Sequence, residues 1–135
     1  MTADNKYVTF KYPKTLPNLT LMHPTLVMIM FEMAYWCWVR KIDFVVTSTI
    51  STVKKDLKLG RVSDSHRTKR AFDLRSRRVF SVKQKNDFIE HFNRKYIDIA
   101  SINRSDNVAR LIVEHGEGDN KHFHIALHSR FSIKF

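Results

Sequence analysis

One cysteine, Cys37, stands in the 135 residues, so the chain can form no intramolecular disulfide and no cysteine-built zinc finger. A lone thiol suits folding in a reducing cytoplasm. Glycine and proline are equally sparse, three of each, which excludes a low-complexity or collagen-like chain. Neither a P-loop nor a G-x-G-x-x-G run is present, and the nucleotide-cofactor classes lose their usual signature. Acidic side chains are few: 13 against 24 lysines and arginines, a net charge of +11. So basic a chain is drawn to polyanions, whether nucleic acid, acidic lipid or the anionic polymers of a bacterial envelope. The longest apolar run, Leu26 to Val39, falls short of the roughly 20 residues a membrane span needs, and Glu32 interrupts it. The polar start, Met1 to Lys6, lacks the apolar centre of a signal peptide, and none is expected.

With 43% hydrophobic residues the chain can bury a core of its own, and its length favours one domain. Residues 1–21 read as an N-terminal arm, with a short strand around Tyr7–Tyr12 and a loop punctuated by Pro13 and Pro17. The domain proper is expected over 22–135. His23-Pro24 marks a helix start, since proline is tolerated at the first helical position, and the helix should run to about Lys41. Tyr35, Trp36 and Trp38 read as its core face. Asp43 to Thr49 is rich in β-branched residues and reads as a strand. Residues 51–65 form a polar loop with room for a helical turn. Ala71 to Leu74 is a second strand inside the basic run 66–78. Ser81 resembles an N-cap for a helix over Val82–Ile97, with Phe88, Ile89, Phe92 and Tyr96 at helical spacing. Val108–Glu114 and Lys121–His128 are strand-like runs about a turn. The expected architecture is α+β: two main helices on a small, mostly antiparallel sheet.

Chemistry concentrates in three of these elements. His66 lies in a loop leading into the strand that carries Asp73, and His122 and His124 share one face of the penultimate strand because side chains alternate. Two imidazoles and one carboxylate suit a catalytic zinc site whose fourth position is left to water. A nearby carboxylate would shuttle the proton. With a hairpin centred on residues 116–120, Glu114 faces His122 and Ile112 faces His124, which puts Glu114 beside the metal; a one-residue slip of register would remove it. His23, His91, His115 and His128 carry no such pattern and read as structural or solvated.

Asp64-Ser65-His66-Arg67-Thr68-Lys69-Arg70-Ala71-Phe72-Asp73 resembles the Ser-x-His-x-x-Gly-x-Ala-x-Asp signature of the zinc D-Ala-D-Ala carboxypeptidase superfamily, which includes phage L-alanyl-D-glutamate endopeptidases and the Hedgehog signalling domain. His122-Phe123-His124-Ile125 is similar to its His-x-His strand, and Leu111-Ile112-Val113-Glu114 to the strand end bearing its catalytic acid. The likeness runs from Met22 to His128. It implies a Hedgehog/DD-peptidase-like fold, with Zn2+ held by His66, Asp73 and His124. Glu114 is implied as general base, and His122 as transition-state stabiliser or proton donor. The implied activity is hydrolysis of an amide in the peptidoglycan stem peptide. A phage lysin would act from the host cytoplasm at lysis or from the virion, with peptidoglycan, and other virion proteins in the second case, as partners. Three positions depart from the pattern. Lys69 stands for the signature Gly, Asp64 for its Ser, and Ser51-Thr52 where the family often has a carboxylate-orienting Arg, a role that Arg67 or Arg70 is expected to take over. Two other readings are a non-catalytic phage structural protein that keeps the metal as a staple and, ranked last, a basic nucleic-acid-binding domain resting on the 67–78 cations.

Overall fold

The computed structural model describes residues 8–61 and 64–133; the Met1–Lys6 segment read for a signal, and Tyr7, lie outside them. Among the described residues five strands form one sheet in the order β1-β2-β3-β5-β4, with β1 Thr9–Phe10, β2 Val45–Ser48, β3 Ala71–Arg75, β4 Ile112–His115 and β5 His122–Ala126. Only the β1–β2 pair is parallel; the others are antiparallel. Among the described residues three α-helices accompany the sheet: α1 Pro24–Val39, α2 Val53–Lys58 and α3 Val82–Lys95. The expected α+β class holds. The described part of the arm is docked, because Phe10 pairs with Val46 and, with Val8, enters the core.

Local chemistry accounts for the helix ends. The His23 Nδ1 accepts from the Thr25 amide, Pro24 opens α1, and Lys41 beyond its end takes a left-handed φ of 59°. Ser81 and Gln84 form a reciprocal capping box on α3, and Lys83–Asp87 and Glu90–Arg94 brace its outer face. The inner face buries Phe88 and Phe92, which with Phe80, Phe123 and Trp36 make a chain of ring contacts at 5.1 to 6.3 Å. Each such ring contributes about 1.5–3 kcal/mol by burial, and each well-set pair about 0.5–1.5 kcal/mol more.

Glu32, which breaks the apolar run of α1, binds Lys95 and Tyr96 at the end of α3. Burial raises its carboxyl, yet those two hydrogen bonds outweigh burial and hold it below the ordinary value. Of the aromatic group expected in the core, only Trp36 packs there. Tyr35 and Trp38 stack on each other at 6.1 Å on the exposed side, since positions three apart on a helix share a face. Burial pushes the Cys37 thiol up to about 12, which makes it a packing group rather than a nucleophile. Among the described residues no helix is long and apolar enough to cross a membrane.

The two faces of the sheet differ. Val46, Phe72, Leu74, Ile112, Phe123 and Ile125 belong to the core shared with α1 and α3. The alternate positions, Asp73 and Arg75 on β3, His122 and His124 on β5, and Val113 and His115 on β4, face the other way. A shift of pairing between Val46 and Ser48 sets Ser48 directly beside Asp73.

Candidate metal centre

Asp73 and His124 are direct cross-strand partners, and the loop before β3 brings His66 over them. That loop coils into turns in which the Thr68 amide bonds the Asp64 carbonyl and the Arg70 amide the Ser65 carbonyl. Arg70, nearly fully buried, clamps it by donating to the Leu127 carbonyl at 2.7 Å and to Asp64 at 3.0 Å. Lys69, at the position of the signature Gly, takes a φ of 64°, a conformation that glycine adopts freely and that costs other residues about 1 kcal/mol.

The ligand atoms converge. The His66 Nε2 lies 3.1 Å from the Asp73 Oδ1, and the His124 Nδ1 3.0 Å from the same oxygen. One ligand atom from each of the three residues lies within 4.8 Å of the other two. Ligands bonded at about 2.0 Å to a tetrahedral zinc stand roughly 3.3 Å apart, so the pocket fits that ion with small adjustments. The remaining ring nitrogens are anchored: the His66 Nδ1 sits 2.6 Å from the Thr49 carbonyl, which turns Nε2 toward Asp73, and the His124 Nε2 lies 3.2 Å from the Ser65 hydroxyl. Burial favours protonation of Asp73, but the charge of His66 and the hydrogen bonds from both imidazoles overcome it and keep the carboxyl far below the usual range. His124 moves down from its ordinary value, chiefly through burial, with the Asp73 hydrogen bond opposing. A neutral imidazole beside an ionised carboxylate is the state a divalent cation requires.

The hairpin is one residue out of the expected register. His115 pairs with His122, Glu114 with Phe123 and Val113 with His124. Glu114 therefore lies on the core face, where Lys85 of α3 donates to it at 3.2 Å, and it does not border the metal pocket. The cause is the connection. Lys121 joins the loop, which runs from Gly116 through a 3-10 turn at Gly118–Asn120. Gly116 has a φ of 85°, and a Cβ there would meet the Asn120 carbonyl oxygen at 2.3 Å. Substitution of Gly116 by Ala is expected to destabilise the protein by about 2 kcal/mol or more, read as a lowered denaturation midpoint. A midpoint within the error of wild type would show that the loop can relax.

His122 does face the pocket. Its Nδ1 lies 2.6 Å from the Asn120 carbonyl, so the proton resides there, and its Nε2 lies 3.8 Å from the Asp73 Oδ2. His115, read from sequence as structural or solvated, is exposed and lines the same cleft, with ring centres 5.5 Å from His124 and 6.1 Å from His122. Burial first, and the charge of His122 second, pull it below its ordinary value. His23 and His128 are structural, each accepting from a backbone amide two residues on.

The expected substrate arginines are occupied elsewhere. Arg70 is the buried loop clamp, and Arg67 lies 3.7 Å from Asp56 on α2. Asp64 pairs with Arg70 rather than adding a carboxylate to the ligands. Arg61, which nothing in the local sequence marks out, reaches the pocket. Its guanidinium contacts Asp56 at 3.2 Å, the Ser48 hydroxyl at 3.1 Å and the Asp73 Oδ2 at 3.5 Å. Ser51 donates to the same Asp56 at 2.6 Å, so the base of α2 holds this arginine in place.

A cleft of about 980 Å³ opens over His66, Asp73, His115, His122 and His124, and a second of about 690 Å³ continues from Arg61 and His122 across β3 and β2. Comparison of the chain with known protein families, with curated proteins and with solved structures finds no match in any of the three.

Proposed function

We propose that this chain is a zinc-dependent peptidase that hydrolyses an amide bond of the bacterial peptidoglycan stem peptide, and that it serves a bacteriophage as a lysin. The observation that carries the reading is the convergence of the His66 Nε2, Asp73 and His124 Nδ1 at the floor of an open cleft. His66, Asp73 and His124 would hold the ion. Zinc bound there supplies Lewis-acid polarisation of the scissile carbonyl and an acidified water. The His122 Nε2, turned to the pocket while Nδ1 is bonded to the Asn120 carbonyl, would accept a proton from the attacking water and return it to the leaving amine. Arg61 supplies positive charge at the pocket edge, where an oxyanion or a substrate carboxylate would gather. His115 borders the cleft as a second neutral imidazole.

The same imidazoles support a second reading, a non-catalytic phage protein stapled by the metal, because structural zinc fills its fourth position with protein and His122 is close by. One experiment separates the two. Purified protein is loaded with zinc, its stoichiometry measured, and peptidoglycan digested with it is analysed by mass spectrometry. The peptidase yields one zinc per chain and new stem-peptide termini that disappear on chelation. A staple yields one zinc, a melting temperature that falls on chelation, and intact muropeptides.

A further inference from the structure

The second cleft is too cationic to be a neutral extension of the first. Lys11, Lys55, Arg61, Arg75, Arg78 and Lys121 border it, together with Arg77, and among the described residues the only acids along it are Asp73, held by the imidazoles, and Asp119, paired with Arg77. The positions of these cations follow from the topology. Arg75 is two residues beyond Asp73 on the same face of β3 and is paired with His122, so it begins where the metal pocket ends. Lys11 arrives from the edge strand β1, Lys55 from α2, and Lys121 from the β4–β5 loop. Four separate elements thus converge same-sign charges on one concavity, and mutual repulsion makes that arrangement unfavourable without a counter-charge. No ion pair to an acid exists for Lys11, Lys55, Arg75 or Arg78 among the described residues.

We propose that this groove binds an extended envelope chain bearing repeated oxyanions, carboxylates or phosphates, and leads it to the metal pocket. The inference rests on the peptidase reading for the site at its inner end. Guanidinium forks at Arg75 and Arg78 suit both kinds of oxyanion. Nucleic acid fits the groove less well. Among the described residues Tyr12 is its one phenol or indole side chain, and only the His122 ring joins it, where single strands need a stacking platform; the surface is concave, where duplex needs a helix or ribbon that projects into a groove.

The test is equilibrium binding of the zinc-loaded full chain to three probes at low salt: a short oligoglutamate, a poly(glycerol phosphate) oligomer of equal charge, and a neutral oligoglutamine. A single-stranded oligonucleotide of equal charge serves as competitor. At least one anionic envelope-like probe should bind about tenfold or more above oligoglutamine, and the stronger of the two identifies the oxyanion. The double variant Arg75→Gln/Arg78→Gln should lose about tenfold in affinity while keeping its zinc. The variant Lys83→Gln/Arg94→Gln, which removes the same charge from the exposed side of α3, should stay within about twofold. Equal losses in both variants would mean net charge alone and would overturn the proposal, as would no binding, or an oligonucleotide that binds more tightly than both probes with the same arginine dependence. Because no turnover is read, failure here leaves the peptidase reading standing. Conversely, binding with intact muropeptides would retain the groove and remove the peptidase.

Discussion

Replacing Asp73 with Asn is expected to lower zinc affinity roughly a thousandfold or more, since even the outer partners of metal ligands are worth about 10–100-fold. The Asp73 Oδ1 is the atom both imidazoles approach, at 3.1 and 3.0 Å, so the substitution strikes the centre of the ligand set while keeping the shape of the side chain. Competition with a chromophoric chelator measures the loss, and circular dichroism checks that the fold survives. Unchanged affinity would remove these residues as a metal centre.

The pH dependence follows from the same groups. Asp73, held far below the ordinary carboxylate range, stays ionised, so acid releases the metal through the ring nitrogens, which cannot hold a proton and the ion together. In the metal-free protein, His124 has a pKa lowered by burial and binds fewer protons than it does unfolded. Stability is then full above the unfolded histidine value of about 6.5 and declines as pH falls through it; Asp73 adds a further decline only below about pH 4. The melting temperature of metal-free wild type should fall from about pH 7.5 to about pH 5. A flat or rising profile would contradict the buried neutral state of His124.

How far these features could be read from sequence depended on the range of the interaction. Helices α1 and α3 were legible because their signals are local: Pro24 after a capping residue, Ser81 three residues before Gln84, and Phe88 and Phe92 on one face. The shared face of His122 and His124 was legible because period-2 alternation acts within a single strand, whereas the choice of His66, Asp73 and His124 as a set came from the resemblance to the peptidase signature. The parity of the hairpin was not. Ile112 and Val113 are both apolar, so the pattern of β4 does not say which faces the core, and inclusion of Lys121 in the loop shifts every pair by one. Glu114 and His115 exchanged faces on that account. Arg61 was invisible for a different reason: its placement depends on Asp56, Ser48 and Asp73, which converge only when α2 docks beside β2 and β3. Arg70 was misjudged because a cation in a basic run reads as solvated or ligand-binding, whereas this one satisfies the Leu127 carbonyl in the interior.

That exchange of faces makes the proton carrier testable against the assignment implied by the family pattern. Substitution of His122 by Gln is expected to lower kcat about 10²–10⁴-fold, the usual contribution of a positioned general acid-base, with zinc stoichiometry unchanged. Glutamine keeps a polar group near the Asn120 carbonyl but cannot accept and return a proton at the position of Nε2. Substitution of Glu114 by Gln should leave kcat within about threefold, because its carboxylate meets Lys85 on the other side of the sheet, away from the metal pocket. Chemical rescue separates a proton-transfer role for His122 from a structural one: added imidazole should restore part of the turnover lost in His122→Ala, whereas a merely loosened hairpin would not respond to it. If instead Glu114→Gln abolishes turnover and His122→Gln does not, the hairpin in solution pairs Glu114 with His122, and the register described for β4 and β5 is the statement that fails.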